Sequence, residues 1–309
     1  MTCSLFDAII YTSQQGTAVN KYSQLEQRAE VLLQSRGISG HVAAERFVKD
    51  FKAYLIYFDA TGVGSADTTM SLLEDSLNLT DSNILHTNFR KPLTDLISSK
   101  LKSDLIFMKL FLILLDNNGK GVGGGELALP LILAGYTFSN DCDGMFDGKK
   151  VEVKKSGASL KAVKTGVTKD GLVDELNKKY WAGTAPGMKR EKLFQNHINA
   201  VKNPDDYGNY FDELYPGSDT TARQTLAEEV KGCYKDSTKF NDAVGKFVMG
   251  EYQRIAGFNN IFIINSETGI VVNIADTSNL IGLGLKFAPK LKRGNDNQAI
   301  ADGYVNVST

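Results

Sequence analysis

Apolar positions recur at three- and four-residue spacing through most of the first 118 residues, a period that predicts helices. Leu25, Ala29, Leu32 and Leu33 fall on one face, behind a Ser23-Gln-Leu-Glu26 capping box and ahead of a stop at Gly37. A second helix is expected from Ser39 to about Gly62, with Val42, Phe47, Phe51, Tyr54, Leu55 and Phe58 in its apolar stripe. Weaker helices are expected over Thr69 to Leu77 and Leu93 to Leu101, followed by the apolar segment 104–115; all of this reads as core packing. Residues 117–125 break the period with glycines at 119, 121, 123, 124 and 125. Such a loop lets a backbone approach a ligand closely, or is a plain connector. It is not a P-loop, since no Gly-Lys-Ser/Thr follows at the required spacing. Glu126 to Ala134 reads as a buried helix with one acid at its head, beginning close to Glu126 because Pro130 is tolerated only near a first turn.

At residue 141 the period changes to two. Asp147-Gly148 is a strong signal for a two-residue hairpin turn, because such turns need positive φ at both positions. If these two residues form the turn, Phe146 faces Lys149, Met145 faces Lys150, Gly144 faces Val151 and Asp143 faces Glu152. Alternation puts Lys154 on the face of Glu152, with Val151 and Val153 on the other. Two carboxylates pressed together are destabilising unless a cation sits between them. The register therefore points to a divalent-cation site with an ammonium beside it. Further along, helices are expected over Asp170 to Trp181, Lys189 to Val201, Ser218 to Gly232 and Asp236 to Ala256, with an irregular aromatic stretch from Tyr207 to Gly217. A second hairpin is expected from Ile261–Ile264 and Ile270–Ile274 around a turn at 267–269, and a short strand near Tyr304 to Val307.

Composition narrows the class. The apolar fraction of 42% and charged fraction of 23% are ordinary for a soluble globular protein. A net charge of −1 means that a nucleic-acid partner must be met by a local patch. One exists: between Lys149 and Lys169 seven lysines stand against one acid, Glu152, a local charge of +6, though such a run can also be a solvated face. Three widely spaced cysteines (3, 142 and 233) argue against a disulfide framework and for a reducing, cytoplasmic setting. Met1 to Gln15 lacks the basic start of a secretory signal, and no apolar run approaches the roughly 20 residues of a membrane helix. His41, His86 and His197 have no matching partners nearby and read as structural; Ser156 and Ser159 lack a histidine partner for a hydrolase triad.

Gly125-Glu126, then Asp143, then Glu152-Val-Lys154 resemble the PD-(D/E)xK nucleases, the restriction-endonuclease-like superfamily. The resemblance covers about residues 119–160, and Cys142 stands where the family name has proline. It implies a mixed sheet flanked by helices, here with a helical N-terminal region (1–118) and a nuclease core with a C-terminal α/β extension (119–309). It further implies magnesium or manganese on Asp143, Glu152 and the Val153 carbonyl, with Glu126 as an outer or second-metal ligand. Lys154 would position or deprotonate the attacking water, and Lys149, Lys150, Lys155, Lys161 and Lys164 would grip DNA phosphates. Phosphodiester hydrolysis needs such hard oxygen ligands and a cation on the developing charge. Endonucleolytic cutting of both strands implies a homodimer or two successive nicks. The chain's general look is similar to phage-encoded members, so the alternative is a catalytically silent structural or nucleic-acid-binding protein, for example a virion component.

Simpler readings stand beside this one. Lys154 could form a cross-strand ion pair with Asp141, and Glu126 could be an acid favoured at a helix N-terminus. Asp141, Asp143, Asp147 and Glu152 also fall at positions one, three, seven and twelve of a calcium-binding EF-hand loop, although Met145 and Phe146 occupy positions that need a ligand and a glycine.

Overall fold

The computed structural model describes residues 16–76, 84, 86–116, 122–123, 125–139, 141–160, 163–181, 197–200, 203–293 and 298–308. The fold is mixed α/β. A six-stranded mixed sheet, ordered β1-β7-β6-β4-β3-β2, is flanked by helices. Its strands are β1 (Phe89–Pro92), β2 (Tyr136–Phe138), β3 (Gly144–Phe146), β4 (Lys149–Lys155), β6 (Asn260–Asn265) and β7 (Ile270–Ile274). A separate three-stranded sheet, ordered β5-β9-β8, uses β5 (Val163–Thr168), β8 (Leu285–Arg293) and β9 (Gln298–Val307).

By packing, the chain falls into two compact units. The first is Met1–His86, Lys91–Lys155 and Asn260–Val271; the second is Thr87–Arg90, Ser156–Asn259 and Val272–Thr309. The N-terminal helices therefore share a unit with the hairpin of β3 and β4.

In the first unit, α1 (Gly16–Ser35) begins seven residues ahead of Ser23, so the expected capping box lies inside a helix. No proline or second glycine interrupts 17–22, and propagation runs back to Gly16. Its expected face of Leu25, Ala29, Leu32 and Leu33 is buried, and Gly37 ends it at φ 72°. The second helix, α2 (Glu45–Ala60), starts later than Ser39, after a 3₁₀ turn over Val42–Ala44 that leaves Val42 83% exposed. Phe47, Phe51, Leu55 and Phe58 form its buried stripe. Next come α3 (Ala66–Ser76), α4 (Ser99–Lys102) and α5 (Leu105–Leu115). Asp104 caps α5 by accepting from Phe107 N at 2.7 Å and takes the Thr69 hydroxyl of α3 at 2.9 Å. Such a cap contributes about 1 kcal/mol.

In the second unit, α6 (Lys169–Leu176) continues as a π-helical turn over Asn177–Trp181. The expected irregular stretch after Tyr207 is instead α7 (Asp206–Leu214). Tyr207, Tyr210, Phe211 and Leu214 lie three and four apart, so one helical face buries all of them. Helices α8 (Thr220–Cys233) and α9 (Ser237–Ala256) are capped by Asp219 and Asp236. The tail forms a long antiparallel pair, β8 with β9, where only a short terminal strand was expected. Most of the expected helix from Lys189 lies outside the described residues; 197–200 is helical. Among the described residues, no helix is long and apolar enough to cross a membrane.

His197 illustrates the cost of this aromatic core. It is buried against the Tyr210 and Phe211 rings, at centroid distances of 5.0 and 5.9 Å. Neither ring nitrogen has a hydrogen-bond partner among the described residues. Burial pushes its imidazole down to about 3 from the ordinary 6.5. Between those values the unfolded chain holds more protons than the folded one, so stability falls on acidification through that window. His197→Phe should flatten this slope, retaining on the order of 2 kcal/mol at pH 4 that the wild type loses. Urea unfolding midpoints measured from pH 7 to pH 4 in both proteins check this.

Candidate active site

The hairpin at 147–148 forms as the sequence requires. Asp147 has φ 49° and Gly148 φ 71°, both left-handed. The antiparallel ladder pairs Gly144 with Val151, Met145 with Lys150 and Phe146 with Lys149. Val151 and Val153 are buried at 0% and 2% exposure, whereas Glu152 and Lys154 lie on the opposite face.

The ladder stops one pair short of Asp143 and Glu152. β3 begins at Gly144, so Asp143 lies just beyond it, and β4 continues toward Lys155 paired with β6 on one edge but without β3 on the other. The Asp143 side chain takes the place of the missing strand: its Oδ2 accepts from the Val153 backbone N–H at 2.8 Å. The same oxygen lies 3.3 Å from Lys154 Nζ. Lys154 Nζ also donates to Glu152 Oε1 and, at 3.3 Å, to the Val153 carbonyl. One ammonium thus touches Asp143, Glu152 and the Val153 carbonyl together. Asp141, expected opposite Lys154, has no ladder position there, because pairing ends at Gly144.

Glu126 joins this group from the glycine loop. It is only 7% exposed, and its Oε1 accepts from the Gly123 N–H at 2.7 Å. A Cβ at Gly123 would stand 2.7 Å from that oxygen, and the end of the Glu126 side chain would have to shift to admit it. Gly125 packs against Val153 and Ile264 beneath the strands. Gly119, Gly121 and Gly124 lie outside the described residues. The expected helix from Glu126 to Ala134 is replaced by turns and one 3₁₀ turn, Leu129–Leu131. Pro130 is the reason: a helix starting at Glu126 would need the N–H that proline lacks and would press its ring on the Glu126 carbonyl.

Electrostatics bind the four groups. Burial, then the neighbouring Asp143 charge, pushes the Glu126 carboxyl up to about 8. Burial and Glu152 raise Asp143, with Lys154 opposing. Burial would lower Lys154, but Asp143 and Glu152 outweigh it and hold its amine above the ordinary lysine value. In this state Lys154 is an ammonium donor.

No protein-family model, curated protein or solved structure matches this chain. The geometry therefore stands on its own residues. Among the described residues, no three His, Cys, Asp or Glu side chains stand close enough together, as placed, to hold a metal ion. The donors nevertheless fit a hard cation in kind: carboxylate oxygens and one backbone carbonyl, with three acids to a single lysine. The Lys154 ammonium already stands among the three groups that the resemblance assigns to the metal.

The lysine patch is divided by the pleat. Lys150 is exposed and has the strand parity of Glu152 and Lys154, whereas Lys149 and Lys155 have the opposite parity. Lys155 faces Asp116 at 3.9 Å, an exposed pair that contributes little. Lys161 lies outside the described residues, and Lys164 is placed only as a backbone position of β5. The EF-hand spacing is occupied by a β-hairpin, whose strands stand where that motif needs helices. Two features near the acids escaped the sequence reading: the three-residue strand β2, signalled only by Tyr-Thr-Phe after Gly135, and the buried Tyr136 within it.

Glu126 holds more protons folded than unfolded between about 4.5 and 8, so its burial makes the fold less stable as pH rises through that window. Glu126→Gln keeps an oxygen for the Gly123 N–H and removes the ionisation. The variant should gain on the wild type as pH rises from 5 to 8, by on the order of 2 kcal/mol at the upper end. Denaturant midpoints across that range, without divalent cations, read the difference.

Proposed function

We propose that the chain is a divalent-cation-dependent nuclease with a restriction-endonuclease-like core, hydrolysing DNA phosphodiester bonds as an endonuclease. The observation that carries this reading is the convergence of Asp143, Glu152 and the Val153 carbonyl on one cationic atom, Lys154 Nζ. In this reading magnesium or manganese is held by those three groups, with Glu126 as an outer ligand, and supplies Lewis-acid stabilisation of the charge that develops on the phosphate. Asp143 is oriented by the Val153 N–H, and Glu152 by its place on β4. Lys154, kept protonated by its acids, donates to a phosphate oxygen or orients the attacking water. Lys150, exposed on that strand face, contacts the DNA backbone. Free thiols at Cys142 and Cys233 fit a reducing, cytoplasmic setting. Cutting both strands requires a homodimer or two successive nicks.

A second reading has its own support. The acids are already paired with an ammonium, so the hairpin is neutralised in part without any metal. A silent nuclease fold that binds nucleic acid as a structural component, in a virion for example, would look the same.

Supercoiled plasmid separates the two. With magnesium or manganese, and EDTA as control, the nuclease reading expects metal-dependent nicking. Asp143→Asn and Glu152→Gln, which keep shape and hydrogen bonding, should each lower the nicking rate by at least about 100-fold with unchanged circular dichroism. Retarded plasmid with no cutting under either metal would favour the structural reading, and full activity in both variants would remove these residues from the chemistry.

A further inference from the structure

Tyr136 is buried against Gly144, the residue after Asp143, without a visible reason. Its side chain is 0% exposed, and its hydroxyl has no hydrogen-bond partner among the described residues. An unmade O–H in the interior is unfavourable, and phenylalanine would fill the same space without it. Burial acts on this phenol most strongly, followed by Asp143, Glu126, Cys142 and Glu152, in that order. Three of these four are the carboxyls of the site, and Cys142 adjoins Asp143 in the chain.

Gly144 supplies an independent observation. It follows Asp143 and sits inside the ladder, between the Phe138 and Val151 partners of its two neighbouring strands. Glycine weakens a strand, and one in that position marks a close approach. Here the approach is the tyrosine itself: a Cβ at residue 144 would overlap the Tyr136 hydroxyl and ring. Two positions on adjacent strands, each unfavourable alone, together hold one hydroxyl against the residue that follows Asp143.

We propose that Tyr136 is a positioning residue: with a divalent cation bound, its hydroxyl donates a hydrogen bond to the Asp143 carboxylate and fixes that ligand's orientation. The inference rests on the cation-site reading above. In the structure Asp143 is engaged through Oδ2 with the Val153 N–H and the Lys154 ammonium. Release from the ammonium lets the carboxylate turn, and a buried donor without a partner is placed to receive it. Ligating carboxylates are commonly held by such partners, and removing one weakens metal binding about 10–100-fold.

The test uses the full chain and a readout other than cleavage. Manganese affinity is measured by electron paramagnetic resonance for wild type, Tyr136→Phe and Asp143→Asn, with thermal unfolding of each protein without metal. Terbium emission excited through tyrosine serves as a proximity readout. We expect Tyr136→Phe to unfold at or above the wild-type midpoint, to bind manganese about 10–100-fold more weakly, and to lose much of the sensitised terbium emission. A 3-fluorotyrosine in place of Tyr136, nearly the same shape but a stronger donor, should bind manganese at least as tightly as wild type. Wild-type manganese affinity in Tyr136→Phe, alongside weakened binding in Asp143→Asn, would overturn the proposal and leave the cation site standing. Manganese binding no stronger in wild type than in Asp143→Asn would overturn both.

Discussion

The left-handed backbone at Asp147 and Gly148 fixes the parity of every side chain in the hairpin. A side chain on a strand has two faces to choose from, and a slip of one residue exchanges them all. Such a slip would carry Glu152 and Lys154 into the core and turn Val151 and Val153 outward. The two valines lie in the interior beside β6, whose register with β4 runs from Val151↔Asn260 to Lys155↔Ile264. Burial of the valines thus holds the charged face in place, and the turn determines which residues occupy it. The site owes its geometry to apolar packing on the reverse side of the same strand.

Charge then decides the state of that face. Three carboxyls lie near one ammonium, and the low-dielectric setting magnifies every imbalance. The protein responds in two ways: Lys154 holds its proton more firmly than an exposed lysine, and Glu126 favours its neutral form. Both responses reduce net negative charge, which is the task a divalent cation would perform. The arrangement is thus partly neutralised by the protein's own groups. An internal ammonium and an external metal would compete for the same oxygens.

Much of this was legible in the chain because it is local. Asp147-Gly148, the alternation of Val151 and Val153, and the i, i+2 spacing of Glu152 and Lys154 all act within a dozen residues. The helical faces at Leu25–Leu33 and Phe47–Phe58 were equally plain. What was not legible depends on distant or competing interactions. Asp143 leaves the ladder because its carboxylate can satisfy the Val153 N–H itself, a choice between side chain and backbone that spacing cannot decide. Tyr207 to Leu214 reads as irregular beside its glycines and aspartates, and only the burial of four apolar side chains shows it to be a helix. Tyr136 matters through Gly144, a contact between strands. No periodicity in the sequence announces that β4 finds β6 as its parallel neighbour across the whole of residues 156–259.

That last pairing has a consequence for biosynthesis. β4 is complete at Lys155, but the strand that covers one of its edges begins only at Asn260. At ordinary translation speeds the ribosome needs about 5–20 s to supply the intervening residues. Throughout that interval the edge of β4 that faces β6 has no partner strand to pair with. An uncovered edge of this kind is a template for wrong pairing. The late arrival of Ile261–Ile264 means that the central sheet can close only after residues 156–259 have been made.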